Sequence, residues 1–448
     1  MVVSELKGHG CSRQSMREIQ ESIRDNKLNR VVIGGCSPRT HETKFQETVR
    51  AAGLNKYLVE IANIRDQATW VHSNSPQDAT AKAKDLIRMA VGSVIRSQPL
   101  VDQSLPINKD VLVVGGGVAG MNAALQLADQ GHKVYLAEKT DKLGGLAARI
   151  HTTIEKGDVQ TYVKDLIART EAHENIQIIT RALIVDHSGM PGPFKTGMQT
   201  GKQMFYRQIE HGVTVIATGA EPNRPPQYLL GENAAVSTQL DLQALLAEKP
   251  EMASAWDNVV MIQCVGSRDD ENPNCSRICC QSAIKNALRI LALNPEARIF
   301  VLYRDMRTFG FHEEYYQKAR ELGVIFVRYS REQPPRVKAG DGGIEVSFTD
   351  PVLGRELIVA ADHLCLSTGM VADEDGNSEL AMLFKLPRTA DGYFLEDHVK
   401  LRPIDLPIPG FFVAGTAHSP KLINESVGQA LAVAARARTM LASDTINL

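Results

Sequence analysis

Apolar and polar positions follow one another along this chain in distinct blocks. Asp110 is followed by four apolar residues, Val111–Val114, and then by the loop GGGVAG. The next stretch, MNAALQLADQG, has apolar residues at three- and four-residue spacing, and HKVYLAE follows it. A short, fully apolar run is the pattern of a strand covered on both faces, and the wider spacing is that of a helix with one buried face. Strand, glycine loop, helix and strand in this order predict a parallel sheet with crossover helices. The order returns from Asn258 as VVMIQCVGS, with a helix over Gln281–Leu293, a strand over Arg298–Tyr303, and a further helix and strand within Glu313–Val327. Residues Ile344–Leu366 predict short antiparallel strands followed by a buried one, and FFVAGTAHSP with SVGQALAVAARARTML predicts a strand, a loop and a closing helix. Upstream, a polar helix over Arg13–Asn29 leads to the strand Val31–Ile33 and the turn Gly-Gly-Cys-Ser-Pro, with helical patterns over His41–Ala52 and Ala79–Val94. Two prolines and no periodicity make Ser97–Lys109 a linker.

Composition narrows the class. A chain of 448 residues predicts two or three domains, and 43% hydrophobic with 23% charged residues is ordinary for a globular protein. A formal net charge of −2 offers no field for nucleic acid or an anionic membrane. The short basic cluster Arg304–Arg307 is mixed with acid and reads as a solvated face or a partner contact. No segment approaches the roughly 18 apolar residues of a membrane span, and the first residues lack a signal-peptide layout, so a cytoplasmic protein without membrane insertion is expected. Of seven cysteines, four crowd into residues 264–280, which points to metal or redox chemistry more than to disulfides.

Gly115, Gly117 and Gly120, with Val118 and Ala119 between them, fit G-x-G-x-x-G directly after an apolar strand. The first glycine permits the tight turn, the second lets backbone approach a pyrophosphate, and the third allows close packing of helix on strand. Glu138 ends the next strand, where an acid can bind ribose hydroxyls. Glu138, Lys139, Gly144 and Gly145 resemble the E-K-x-x-x-x-G-G extension of two-dinucleotide flavoproteins. Ala217, Thr218 and Gly219, with Pro222 after them, resemble their A-T-G-x-x-P crossover, and Gly415 lies in a resemblance to their late A-G-D loop. Thr416 stands in place of the aspartate. Each loop alone could be an ordinary turn; in this order they favour FAD over NAD, with Ile184 as a further candidate contact. The expected fold class is α/β, two Rossmann-like domains of the thioredoxin-reductase-like flavoprotein kind behind a small α/β N-terminal domain. Its expected bounds are 1–97 for the N-terminal domain, 98–109 for the linker, 110–255 with 364–448 for the FAD domain, and 256–363 for the second domain.

Cys264, Cys275, Cys279 and Cys280 occupy the opening of the second strand–helix–strand unit, where a pyridine-nucleotide flavoenzyme would carry a second glycine loop. Four thiolates there could ligate a [4Fe–4S] cluster, whose irons prefer soft anionic sulfur. Adjacent Cys279 and Cys280 are unusual for a ferredoxin, so spacing alone leaves cluster, zinc and redox disulfide open. Cys365, in the apolar HLCLSTGM, reads as a core residue.

With these residues in view, the chain resembles the heterodisulfide reductase A-subunit family. The resemblance is carried by CSPRTHETKF, GLNKYLVEIANIRDQATWVH, VLVVGGGVAGMNAALQLADQGHKVYLAEK, CVGSR with CSRICC, YRDMRTFGFHEEYYQKARELGVIF and VAGTAHSPKLINESVGQA, which together cover nearly the whole chain. It implies that Cys264, Cys275, Cys279 and Cys280 hold a [4Fe–4S] cluster beside the flavin. It also implies that Lys285 points toward the flavin, where a cation would stabilise the reduced, anionic ring; otherwise Lys285 reads as a surface lysine. The implied role is an FAD- and [4Fe–4S]-containing electron-transfer subunit, possible in an electron-bifurcating setting. It would work with other iron–sulfur or redox subunits of a complex and with a second copy of itself. The chain departs from the family in having no C-x-C-G near its start and no ferredoxin-type cysteine run, so Cys11 and Cys36 cannot complete a four-thiolate site. Competing readings are a self-sufficient NAD(P)H-dependent flavin or disulfide reductase without a cluster, and a scaffold subunit that has lost electron transfer. His151, His312 and His418 lie near motif loops and read first as structural histidines.

Overall fold

A computed structural model describes residues 3–340 and 343–447. The chain divides into one unit of residues 1–104 with 447–448, and another of residues 105–446. In the first, the strands Val31–Gly35 and Val59–Asn63 pair in parallel, Val31 opposite Val59, across the crossover helix Pro38–Ala51. The helix Arg13–Asp25 is started by Ser12, whose hydroxyl accepts the Ser15 N–H at 3.2 Å, satisfying one of the free donors of a first turn. Ile23, Phe45, Val49, Leu58 and Val94 are buried in this unit.

The second unit holds two five-stranded parallel sheets built on one plan. The first has the order Phe411–Val413, Val213–Ile216, Val111–Val114, Val134–Glu138, Ile176–Thr180. The second has the order Val236–Thr238, His363–Leu366, Asn258–Ile262, Arg298–Tyr303, Ile325–Arg328. In each, the chain runs outward strand by strand through crossover helices. It then makes a three-stranded antiparallel meander, over Ala182–His211 in the first and Arg336–Ala361 in the second, and returns to the other side of the starting strand. The four-residue strands Val111–Val114, Val213–Ile216 and His363–Leu366 are buried at every position, as central strands of covered sheets must be.

A short antiparallel ribbon, Glu221–Pro222 against Met370–Val371, is formed where the chain passes between the two sheets. Ser276 is tied to this ribbon, its hydroxyl accepting the Met370 N–H at 3.0 Å and donating to the Met370 carbonyl at 3.3 Å. The closing helix Ile423–Leu441 packs on the glycine-loop helix Val118–Ala128 through Ala430, Val433, Ala434 and Ala437, small residues that let the helices approach. No helix among the described residues is long and apolar enough to cross a membrane.

Candidate functional site

In each sheet the reversal of strand order opens a crevice at the carboxyl ends of the two central strands, the usual ligand position of such sheets. In the first sheet the crevice lies between the turn after Val114 and the turn after Ile216. Gly115 has φ +113°, and a Cβ on it would stand 2.2 Å from the Ala217 carbonyl oxygen. A Cβ on Gly120 would stand 1.8 Å from the Gly115 carbonyl oxygen. These two glycines are demanded by the protein's own backbone. Gly117 is different: a Cβ there would meet nothing within 4 Å, and the open space belongs to a cavity of about 880 Å³. A small residue facing empty space at the start of a helix is what a bound pyrophosphate would require.

Glu138 is 8% exposed and is oriented from both sides. Its Oε2 accepts the Gly116 N–H at 2.7 Å, and its Oε1 accepts the Thr140 N–H and hydroxyl, each at 2.8 Å. A carboxylate has about four acceptor positions, which leaves capacity for a ribose hydroxyl. Val118, Ala119, Lys139, Gly145, Ile184, Ala217, Thr218, Gly219 and Thr416 line the same cavity. Lys139 is turned into an ion pair with Asp373 at 2.8 Å. Gly144 and Gly415 do not line the cavity but adjoin residues that do. The Gly144 N–H donates to the Gly116 carbonyl at 2.9 Å, and a Cβ on Gly415 would stand 2.6 Å from the Ala119 methyl. The shape, the open glycine and the oriented carboxylate fit a dinucleotide such as FAD.

The helix expected to begin at Gln281 begins at Cys279, so two of the four clustered cysteines form its first turn. From that turn onward its cavity-facing side carries Gln281, Ser282 and Lys285. The Lys285 ammonium donates to the Thr152 carbonyl at 2.9 Å and to Gln243 Oε1 at 2.6 Å, and burial lowers its pKa to about 8. Gln281 is 3% exposed, and neither its amide nitrogen nor its amide oxygen has a protein partner. Nothing in the sequence singles it out. Of the three histidines near motif loops, His312 lines the cavity, with Nε2 2.6 Å from Glu155; His151 and His418 do not.

None of the four cysteines lines the cavity, although Ile278 and Gln281, which flank Cys279 and Cys280 in the chain, both do. Cys264 adopts a left-handed backbone, φ +60°. Arg304 pins its loop by donating to the carbonyls of Cys264 and Arg268, each at 2.8 Å. Burial raises the Cys279 thiol well above its ordinary pKa, and Cys280, Cys264 and Cys275 raise it further. Burial also pushes Cys280 up to about 11, with Cys264 and Cys275 adding to it. Cys279 and Cys280 thus sit near the other two sulfurs, where only a strongly positive group would hold them as thiolates. Among the described residues, no three Cys, His, Asp or Glu side chains surround a point where a single ion would sit.

The two crevices can be superposed through their hydrogen bonds. The Gly115 N–H donates to the Ala137 carbonyl and the Gln263 N–H to the Leu302 carbonyl. Likewise the Ala217 N–H donates to Val114 and the Ser367 N–H to Ile262. Gln263 thus occupies the place of Gly115, and Ser367-Thr368-Gly369 that of Ala217-Thr218-Gly219. Gln263 is fully buried with both amide atoms unpartnered, and the buried hydroxyl of Ser367 has no partner either.

Comparison with known proteins agrees with this geometry. Residues 110–216 match the family described as FAD dependent oxidoreductase. The chain is 31% identical to the A subunit of the H(2):CoB-CoM heterodisulfide,ferredoxin reductase of Methanothermobacter thermautotrophicus, over all of this chain and 81% of that one. It is 32% identical to an iron-sulfur A subunit of the CoB--CoM heterodisulfide reductase of Methanopyrus kandleri, over 97% of this chain and 80% of that one. In fold it is similar to thioredoxin reductase from T. acidophilum, with a TM-score of 0.52 and 16% identity, over 75% of this chain and 99% of that one. The thioredoxin reductase of Lactococcus lactis gives a TM-score of 0.51 at 17% identity, over 75% of this chain and 99% of that one.

Proposed function

We propose, for a chain that belongs to the heterodisulfide reductase A-subunit family of FAD-dependent oxidoreductases, that it is the flavin-bearing electron-transfer component of a larger redox complex. In this reading Cys264, Cys275, Cys279 and Cys280 hold a [4Fe–4S] cluster, and residues 256–363 form the cluster domain beside an FAD domain of 110–255 and 364–448. The observation that carries it is the helix Cys279–Leu293, which bears two of the cysteines in its first turn and Gln281 and Lys285 on its cavity face. One helix then joins the two proposed redox sites.

Bound FAD supplies exchange between two-electron and one-electron transfer. The chain's own residues do the rest. Gly117 leaves room for the pyrophosphate, Glu138 receives a ribose hydroxyl, and Ile184, Ala217, Thr218 and Thr416 enclose the remainder. Lys285, whose pKa burial lowers to about 8, still carries its proton at neutral pH and offers positive charge to negative charge in the cavity. The relatives are named as subunits, which supports partner subunits here.

The test is anaerobic purification followed by absorbance, iron analysis and EPR after reduction. FAD together with an iron–sulfur signal is expected. An iron-replete preparation silent in every redox state would remove the cluster. Stoichiometric reduction of its FAD by NADH, without iron, would instead favour a self-sufficient reductase. The unpartnered Gln263 argues against that alternative, because it fills the site where a second nucleotide loop needs a glycine.

A further inference from the structure

The cavity has a second, half-buried cation that the family resemblance does not use. Lys421 lies in the turn before the closing helix and lines the cavity together with Leu422, Ile423 and Thr416. Its ammonium donates to the Ser419 hydroxyl at 2.6 Å and to His418 Nδ1 at 3.1 Å. The tautomer of His418 follows from its neighbours. The Gly415 N–H donates to Gln429 Oε1 at 2.8 Å, so the Gln429 amide nitrogen is the group that donates to His418 Nδ1 at 3.0 Å. With two donors on Nδ1, that nitrogen carries no proton, and the ring proton sits on Nε2. It is donated to Glu396 at 3.0 Å, and both side chains are largely buried, 18% and 14% exposed. Burial keeps His418 neutral by lowering its pKa, with Lys421 lowering it further and Glu396 opposing.

Glu396 therefore holds His418, and His418 with Ser419 holds Lys421. Such a chain of hydrogen bonds around one lysine, with Lys421 and Gln429 sharing the one Nδ1 lone pair, restrains an otherwise flexible side chain. The other charged groups that Lys421 senses are Glu425 and Arg277, which oppose each other. The adjoining helix, Ile423–Leu441, adds the positive end of its dipole to the same wall.

We propose that Lys421 is a second cationic contact of the flavin cavity, independent of Lys285, and that His418 and Glu396 are positioning residues that keep its charge at that wall. The inference rests on FAD occupying the cavity, and it goes beyond that reading by assigning what favours the reduced form. On reduction, two electrons from a reduced reference dye and one proton from solvent enter at the ring's N5, the dye is oxidised, and one negative charge remains on the ring. A cation held in the wall stabilises that charge. Burial lowers the Lys421 pKa to about 8, so it carries its proton at neutral pH.

The experiment is an anaerobic titration of FAD in the holoprotein against a reference dye at pH 7, followed by flavin absorbance. Lys421→Met should lower the equilibrium constant for two-electron reduction by about tenfold or more, a shift of about 30 mV per tenfold. Lys421→Arg should restore most of it. His418→Leu should give part of the loss, whereas His418→Asn, which retains an acceptor toward Lys421, should give less. Should Lys421→Met fail to retain flavin, the His418 pair carries the test, since both variants keep the ammonium on the chain. An unchanged equilibrium constant in flavin-replete Lys421→Met, or equal values for the two His418 variants, would overturn the proposal. A wild-type protein that binds no FAD would instead overturn the reading beneath it.

Discussion

The two sheets of the larger unit share strand order, crossover helices, an inserted meander and even the hydrogen bonds at their crevices, yet they differ at one corner. After Val114 the chain turns through three glycines and enters a helix at once. After Ile262 it places Gln263 where Gly115 stands and travels through Cys264 and Cys275 before its helix begins at Cys279. The first corner exposes backbone N–H groups and a helix start to a ligand. The second fills that space with a side chain and offers sulfur instead. One scaffold therefore carries two differently built corners, and the first difference between them is whether a Cβ is present at the turn. The fold alone would not have separated them.

The comparison can be broken most severely at the cysteines. Cys275→Ser combined with Cys279→Ser should take iron from about four per chain to below one; iron retained at the wild-type level would place the metal elsewhere. Next comes the corner itself. Gly115→Val forces a Cβ to 2.2 Å from the Ala217 oxygen at φ +113°, and should cost about 2–4 kcal/mol in chemical denaturation and abolish FAD binding. The equivalent change in the second sheet, Gln263→Leu, removes an unpartnered amide and should alter stability by about 1 kcal/mol or less. If the two changes cost the same, the distinction drawn between the corners fails.

A smaller effect is expected at Glu138→Ala. It frees the Gly116 N–H and removes the ribose acceptor, which should weaken FAD about 10–100-fold in calorimetry on the flavin-free protein. The smallest is a pH effect. Burial lowers Lys285 from an ordinary 10.5 to about 8. Between those values the unfolded chain binds a proton at this position that the folded chain does not, so Lys285 contributes a stability that grows as pH rises through that window. Lys421 acts in the same sense and the raised Cys279 and Cys280 thiols in the opposite one. Lys285→Met in flavin-free protein should therefore shift the slope of the pH profile of stability downward across the window relative to the wild type; superimposable slopes would show that Lys285 contributes nothing to it.

Much of the first corner is legible in the chain because its signals are local. A glycine triplet, the strand before it and Glu138 at the next strand end lie within about 30 residues, the span of one such unit. The second corner is legible only as a crowd of cysteines. That Gln263 takes the place of Gly115 depends on its pairing with Leu302, and on that of Ile262 with Ser367, contacts between distant segments. The residue pattern starts the cysteine-bearing helix two residues late, since paired cysteines carry little helical signal of their own. Gln281 and the Glu396–His418–Lys421 chain escape the pattern for a similar reason. An unpartnered amide, or a lysine held by a histidine, is defined by what surrounds it and not by spacing. In the sequence His418 is only a lone histidine near a loop.

The ribbon of Glu221–Pro222 against Met370–Val371 has a mechanical consequence. Two antiparallel strands joined by hydrogen bonds can twist as a torsion bar, but they resist sliding past each other. Ser276 fastens the cysteine loop to this bar through both backbone groups of Met370. Points on an axis stay in place when the bodies on either side turn. Should the sheets swivel about the ribbon, the sulfurs beside Ser276 would keep their distance from the crossing strands. Were those sulfurs to hold the proposed cluster, tunnelling, which falls off steeply with distance, would keep its rate along a path anchored there while the rest of the molecule moves.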